Sequence, residues 1–249
     1  MQPKSVTPAP VLGVDLSAYQ PPAAVQWDRL RELGYSFAYV RGVRTGDQID
    51  VHCVEHVERA RAAGFRVGLY SFFVPGIDAT SQVSTYLGAH HACGMRPGDL
   101  APALDLESHS GAPASPAWVE PAAEILARWR ELFGAAVRYH NVTDWHAIGC
   151  PEALTAYPLW LADYTPPADL PCVIWQQRSG KIAGYGSAVL DQNAALGDLP
   201  VIGATQPEPA HVEPSSLAQE IAIPWPQWDR DAHDRLKTEA VARNTEREP

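Results

Sequence analysis

Two apolar patterns alternate over the first 150 residues of the chain. Short, mostly apolar runs typical of buried strands lie at residues 11–17, 37–43, 66–73, 101–107 and 135–141. A segment with the periodicity of an amphipathic helix follows each of the first four runs and a short helical piece follows the fifth, and most of these segments end at a glycine. The pattern predicts five βα units and a parallel sheet.

The pattern changes after about residue 150. Three strand-like runs, at residues 157–165, 172–180 and 186–196, are joined by loops without helices. Together with the five βα units they make eight strands, which is enough to close a barrel. We therefore predict an α/β fold, an irregular TIM-like barrel of five βα units followed by three strands.

The last part of the chain differs in composition. Residues 204–218 are rich in Pro, Glu and Ser and are typical of a linker, and the residues after them fit a short helix with a charged end. We predict a barrel domain at 1–203 and a Pro/Glu-rich linker with a short polar tail at 204–249. The tail is a candidate docking segment for a protein partner.

Charge and cysteine content exclude several functional classes. The formal net charge of -10 and a pI near 5.3 argue against nonspecific binding to nucleic acid or to anionic membranes. No apolar run has the length of a signal peptide core or a membrane span, so we expect synthesis in a cytoplasm. The four cysteines form no C-x-x-C pair and fit no zinc pattern, and free thiols are the expectation.

Two carboxylates lie at the end of the fourth predicted strand. Asp105 and Glu107 are two residues apart, so in a strand they project from the same face, with Cα atoms roughly 6.7 Å apart. Neighbouring carboxylates repel, which raises the pKa of one of them, and acid-assisted glycoside cleavage needs such a pair. Taken alone, the D-x-E pattern is a weak signal, and it favours a pair of solvated strand-end acids or half of a metal site over a catalytic pair.

Barrel closure adds two further acids to this pair. Asp15 ends the first predicted strand, and Asp191 lies in the last one. Because the first and last strands are neighbours in a closed barrel, Asp191 should return beside Asp15. Both should then face the mouth that holds Asp105 and Glu107, where barrel enzymes keep their active sites.

Aromatic residues are candidate platforms for sugar rings. The chain has eight Trp and nine Tyr against five Phe, and Trp and Tyr combine an apolar face with a polar edge. A packing role is as plausible as a sugar contact for any one of them. The candidate substrate-binding residues are Tyr70, Phe72, Tyr139, Trp160 and Trp175.

Other chemistries find little support. His90 and His91 are adjacent on a predicted helix and diverge, and His140 and His146 flank a turn without a partner pattern. The Gly-rich segment at 178–187 does not join a strand to a helix, and no G-x-S-x-G elbow occurs. We expect neither a metal site nor a cofactor.

An ordered set of segments resembles the motifs of glycoside hydrolase family 25, lysozymes that act on bacterial peptidoglycan. The resemblance runs from about residue 11 to about residue 196. Its segments are GVDLSAYQ (13–20), ARAAGFRVGLYSFF (60–73), PALDLE (102–107), PLWLADY (158–164) and WQQRSGKIAGYGSAVLDQN (175–193).

The resemblance implies the irregular barrel predicted above. It also implies hydrolysis of the β-1,4 bond between N-acetylmuramic acid and N-acetylglucosamine in peptidoglycan glycan strands. Glu107 takes the general-acid position, and Asp105, Asp15 and Asp191 take the acidic positions around it. The family is expected to retain configuration through the substrate's acetamido group, which Asp105 would orient; nucleophilic attack by Asp105 stays open.

Two departures from the family pattern lie near the predicted mouth. The segment RGVRTG (41–46) replaces a KATEG-like run, so Arg41 keeps a positive charge but Arg44 stands where the family has Glu. Ser71 stands where the family often has His. We expect these changes to affect substrate detail more than the chemistry.

Two alternatives to a lysozyme remain. One is a noncatalytic wall-binding or phage structural protein on the same barrel, against which the four intact acids argue. The other is a barrel glycosidase acting on chitin-like polymers, whose usual D-x-x-D-x-D-x-E run is absent. A lysozyme without a signal peptide would stay in the cytoplasm until phage lysis or a secretion machine delivers it to the cell wall.

Overall fold

The computed structural model describes residues 10–109, 111–165, 171–186 and 188–203, and within them the predicted barrel is confirmed. Five βα units are followed by three strands without intervening helices. The strands are β1 (Val11–Leu16), β2 (Tyr35–Thr45), β3 (Gln48–Ile49), β4 (Arg66–Phe72), β5 (Ala103–Asp105), β6 (Val137–Asn141), β7 (Leu159–Ala162), β8 (Ile174–Lys181) and β9 (Val189–Ala195).

Eight of these strands close the barrel, and β3 is an addition that the sequence pattern did not predict. The strand order is β1-β9-β8-β7-β6-β5-β4-β2-β3, and a parallel β1–β2 pairing completes the ring. All barrel neighbours are parallel except β9, which runs antiparallel to both β8 and β1. The two residues of β3 pair back onto the end of β2, a hairpin too short to show a period.

The helices cover the outside of the barrel. They are α1 (Trp27–Glu32), α2 (Cys53–Ala62), α3 (Ala79–Ala92), α4 (Val119–Phe133), α5 (Val142–Ala147) and α6 (Glu152–Thr155). In α4 the buried positions Ala122, Ile125, Leu126, Trp129 and Phe133 recur every three or four residues, which places one apolar face on the sheet. Gly134 ends α4 in the left-handed conformation that glycine favours.

Aromatic side chains fill the barrel interior. Tyr39 stacks on Trp160 with ring centroids 4.7 Å apart, and Tyr139 meets the same indole edge-on at 4.7 Å. Gly68 makes room for this packing, because a Cβ there would lie 2.6 Å from the Tyr39 ring. The interior is therefore a packed core up to the level of the mouth.

The cysteines are free thiols, as expected. Cys53 and Cys93 are buried with their Sγ atoms 3.5 Å apart, whereas Cys150 is exposed and Cys172 partly buried. Across the described ranges, no helix combines the length and apolar character that crossing a membrane requires. The predicted linker and tail at 204–249 lie outside the described residues.

Candidate active site

A cavity of about 300 Å³ opens at the carboxyl ends of the parallel strands. Its wall combines carboxylates, one guanidinium group and aromatic rings. The described residues that line it are Asp15, Leu16, Ser17, Tyr19, Gln20, Arg41, Tyr70, Phe72, Asp105, Glu107, Tyr139, Trp160, Tyr164, Gln176, Ser179 and Asp191.

Asp105 and Glu107 share one face of the chain as it leaves β5. Leu106 between them is fully buried in the outer core, so its neighbours on either side turn to the cavity. Asp105 is buried and its Oδ1 has no hydrogen-bond partner among the described residues. Burial, together with the charges of Glu107 and Asp15, raises the pKa of Asp105 well above its ordinary value.

Glu107 is partly exposed at the cavity wall. Burial raises the pKa of its carboxyl, and hydrogen bonding from Asn141 opposes this rise. The nearby charges of Asp144 and Asp191 raise the pKa further. A carboxyl held in this way keeps its proton to a higher pH than a solvated glutamate, which suits a proton donor.

Asp15 and Asp191 meet across the β1–β9 ladder, where they are directly paired. Asp15 Oδ2 accepts hydrogen bonds from Asn193 Nδ2 at 2.7 Å and Gln176 Nε2 at 2.9 Å. Burial, followed by the charge of Asp191, raises the pKa of Asp15 to about 8. Burial also raises the pKa of Asp191, and hydrogen bonding from Ser179 opposes the shift.

The structure thus brings the four predicted acids into one cavity. Such a cluster cannot ionise fully at neutral pH, because each added charge raises the pKa of the carboxyls that remain. Protonated and ionised carboxyls then coexist within one wall, which is the electrostatic condition for acid-assisted bond cleavage. The role of each acid stays a prediction.

A polar network behind Glu107 was not predicted from the sequence. Asn141 Nδ2 lies 3.3 Å from Glu107 Oε1 and donates at 2.7 Å to Asp144 Oδ2. Asp144 also accepts from the backbone N and the Oγ of Ser108, the residue after Glu107. Asn141 ends β6 and caps α5. A polar residue between a strand and a helix is the sequence feature from which this position could have been predicted.

Two buried amides behind Asp15 were also missed. Gln176 accepts a hydrogen bond from the Tyr139 hydroxyl at 2.9 Å, and Asn193 accepts one from Trp160 Nε1 at 2.8 Å. With their oxygens occupied, both amides direct an N–H group at Asp15. Polar residues at inward-facing positions of β8 and β9 are the pattern that could have indicated them.

Four of the five predicted aromatic residues line the cavity, namely Tyr70, Phe72, Tyr139 and Trp160. Trp175 is not among the described residues that line it; its indole Nε1 donates to the Asp163 carbonyl at 2.6 Å. Trp160 is 2% exposed and Tyr139 6%, so both are mainly part of the barrel core. Their position still allows contact with a ligand that reaches the cavity floor.

Two exposed tyrosines at the rim were not predicted. Tyr19 is 83% exposed and Tyr164 is 69% exposed, and both line the cavity. They follow β1 and β7, which are separated by β9 and β8 in the ring. An aromatic face that is open to solvent can stack on a sugar ring, which a buried ring cannot do.

The two departures noted in the sequence occupy different places. Arg41 is buried, lines the cavity and forms an ion pair with Asp50, with Nε and Oδ2 2.6 Å apart. Arg44 is exposed and absent from the described cavity lining. Ser71 is buried between the cavity-lining Tyr70 and Phe72, so its side chain faces away from the site.

Comparison with known proteins identifies a family for this chain. The family model described as "Glycosyl hydrolases family 25" matches residues 14–184. A search of curated proteins finds no match.

Solved structures share the fold. A family 25 glycosyl hydrolase from Bacillus anthracis superposes with a TM-score of 0.65 at 19% identity, covering 76% of this chain and 90% of that chain. A muramidase from Trichobolus zukalii gives 0.64 at 26% identity, with 76% and 95% covered. A bacterial lysozyme from Streptomyces coelicolor gives 0.64 at 23% identity, with 76% and 93% covered.

Proposed function

The chain belongs to glycosyl hydrolase family 25 and is a glycoside hydrolase, and on this basis we propose that it is a muramidase. It would hydrolyse the β-1,4 bond between N-acetylmuramic acid and N-acetylglucosamine in bacterial peptidoglycan. The observation that carries the proposal is the convergence of Glu107, Asp105, Asp15 and Asp191 on one cavity. The solved structures of a muramidase and a bacterial lysozyme with this fold support the choice of substrate.

Glu107 is the proposed general acid. It is the member of the cluster that lies outside a strand and is partly exposed, so a glycosidic oxygen can reach it. Its raised pKa keeps the carboxyl protonated to a higher pH than that of a solvated glutamate, and proton transfer to the leaving oxygen lets the sugar–oxygen bond break. Asn141 Nδ2 lies 3.3 Å from Oε1 and orients the carboxyl at the cavity wall.

Asp105 is the proposed partner of the substrate's acetamido group. Its buried Oδ1 lacks a hydrogen-bond partner among the described residues, and a buried acceptor of this kind is costly unless a ligand satisfies it. The N–H of an acetamido group would supply the missing donor, and the carbonyl oxygen of the same group would then be held for attack on the anomeric carbon as the glycosidic bond breaks. Direct attack by Asp105 is the competing route.

Asp191 is proposed to act through its charge, and Asp15 is proposed to hold the hydrogen-bond network beside it. As a positive charge develops on the sugar ring, nearby carboxylates stabilise it. Asn193 and Gln176 fix the orientation of the Asp15 carboxyl, so this part of the network needs no rearrangement during the reaction. Tyr70 and Phe72 provide apolar surface beside the reacting ring.

The test is chemical identification of the new reducing ends. Purified peptidoglycan is digested, the products are reduced with borohydride, and the reduced sugars are identified after acid hydrolysis. A muramidase yields muramitol, whereas a glucosaminidase yields glucosaminitol, and chitin serves as the second substrate. Glucosaminitol alone, or activity on chitin alone, would refute the proposed bond specificity.

Glu107→Gln is the matched control for this assay. The substitution keeps the shape and removes the transferable proton, so turnover should fall about 10²- to 10⁴-fold while the melting temperature stays close to that of the wild type. Near wild-type release of reducing ends by the folded variant would rule out Glu107 as the general acid.

A further inference from the structure

Arg41 is held in place by an ion pair on the wall of an otherwise acidic cavity. Its side chain is only 10% exposed, and its Nε donates to Asp50 Oδ2 at 2.6 Å. Asp50 is itself buried and accepts from the backbone N–H groups of Ala18 at 3.1 Å and His52 at 3.0 Å. Two backbone N–H groups thus fix the Asp50 carboxylate, and Asp50 fixes Arg41.

The two Nη groups of Arg41 remain available. Within the described part of the chain they make no hydrogen bond, and no ion pair joins Arg41 to any of the four acids. The guanidinium carbon lies 5.3 Å from the centre of the Tyr19 ring, which holds the group from one side. Arg41 is also the only Lys or Arg among the described residues that line the cavity.

A guanidinium group that is held through Nε presents its remaining N–H groups as a fork. This geometry fits the two oxygens of a carboxylate better than it fits a hydroxyl or an acetamido group. The position therefore points to a ligand with an anionic substituent, not to a neutral glycan such as chitin.

The order of groups around the wall indicates which substituent this is. Arg41 lies on β2, Asp105 on β5 beyond β4, and Glu107 follows β5 and contacts Asn141 at the end of β6. Glu107 would serve the glycosidic oxygen at C1 of the sugar and Asp105 the acetamido group at C2. Continuing in the same direction, the next ring position is C3, where muramic acid carries its lactyl ether.

We propose that Arg41 binds the carboxyl oxygens of the 3-O-lactyl group of the muramic acid residue whose glycosidic bond is cleaved. This inference rests on the proposed function, since only a muramic acid in the cavity carries that group. A free lactyl carboxylate takes both N–H groups of the fork and pairs with the charge. A lactyl group in amide linkage to a stem peptide offers one neutral oxygen, so the protein should favour glycan whose stem peptides have been removed.

The first test measures binding without turnover. In the Glu107→Gln background, calorimetry compares the disaccharide GlcNAc-β-1,4-MurNAc, which has a free lactyl carboxylate, with chitobiose, which lacks the lactyl group. Adding Arg41→Gln should lower the ratio of the two affinities about tenfold or more, as expected when a charge-assisted bidentate contact is lost. Arg41→Lys keeps the charge without the fork and should give an intermediate ratio.

A second variant separates loss of the Arg41 contact from misfolding. Arg41→Gln leaves Asp50 buried without its cation, which destabilises a fold. The double variant Arg41→Gln with Asp50→Asn removes both charges and should show the same loss of selectivity. An unchanged affinity ratio in this folded double variant, or no binding of the muramic disaccharide by the protein that keeps Arg41, would overturn the proposal.

A turnover experiment separates this inference from the proposed function. Wild type and variants digest the same glycan strands with and without stem peptides, the latter prepared with an amidase. Loss of preference for stripped strands in Arg41→Gln supports the lactyl contact, and an equal fall on both substrates contradicts it. Wild type that cleaves neither substrate refutes the muramidase proposal, while the binding comparison still decides the role of Arg41.

Discussion

Asp15 and Asp191 face each other directly across the antiparallel ladder that closes the barrel between β1 and β9. They lie near opposite ends of the barrel sequence, and only closure makes them neighbours. After burial, the charge of Asp191 is the largest cause of the raised pKa of Asp15. Closure of the fold and the electrostatics of the cavity are therefore linked at this one pair.

Replacing Asp191 by Asn should lower activity on the order of 10- to 100-fold, because an anion near the developing positive charge is lost. The substitution also removes one of the charges that raise the pKa of Glu107. Because Glu107 acts as the protonated acid, a lower pKa moves the basic limb of the pH–rate profile to lower pH. The measurement is kcat/KM for reducing-end release across the pH range.

Asp198 provides the control for this substitution. It follows the same strand but is exposed and absent from the described cavity lining. Asp198→Asn should leave both the rate and the basic limb in place. An Asp191→Asn variant that behaves like this control would contradict the four-acid site.

Much of the fold could be predicted because strand and helix periods are local properties of the sequence. The run at 101–107 shows apolar character, a preceding turn and a terminal pair of acids without any tertiary information. Counting five such βα units and three strands was enough to infer closure, and closure placed Asp191 beside Asp15. Periodicity and topology together were therefore enough to predict that the acids lie at one mouth of the barrel.

The contacts around the acids could not be predicted, because they depend on strand facing and on tertiary pairing. Trp175 follows Ile174, which packs in the barrel interior, and so it faces outward. The run around it is apolar on both faces, so parity alone could not assign a side. The inward positions of Gln176 and Asn193 mark both as unusual, but only tertiary pairing shows that both contact Asp15.

Asn141 and Asp144 should shift the pKa of Glu107 in opposite directions. Asn141→Ser keeps a capping side chain for α5 but removes the N–H near Glu107, which favours the ionised form. The pKa should rise and the basic limb should move to higher pH. Asp144→Asn removes a repelling charge, so its basic limb should move to lower pH.

This pair of variants controls for general damage to the site. Disruption of the Ser108 loop would lower kcat in both variants without opposite movements of the basic limb. Shifts of the same sign in the two pH–rate profiles would therefore contradict the assignment of Asn141 and Asp144 as groups that tune Glu107.

Truncation after Gly203 should leave the melting temperature of the barrel unchanged. The chain up to this point already contains the bridge between Leu100 and Val201 and the buried side chain of Ile202. Truncation after Pro200 removes both and should cost about 2–4 kcal/mol, because a buried aliphatic side chain is lost. Thermal unfolding of the two truncated proteins gives the comparison, and a large loss already after Gly203 would show that later residues support the barrel.

Asp15→Asn should stabilise the folded protein at neutral pH. Asp15 keeps its proton in the folded state up to pH about 8, whereas an unfolded aspartate loses it near 3.8. Between these values the folded state binds more protons, so the stability of the wild type falls as pH rises. Asparagine stays neutral, and its Oδ1 can still accept from Gln176 and Asn193.

The gain in unfolding free energy at pH 7 should be on the order of 2–4 kcal/mol, and it should fade as the pH approaches 4. Urea unfolding of both proteins at the two pH values measures it, with the exposed Asp198→Asn variant as the control. A loss of stability at pH 7 would show that Asp15 is held as a stable carboxylate, and a gain that does not depend on pH would show that ionisation of Asp15 is not its cause.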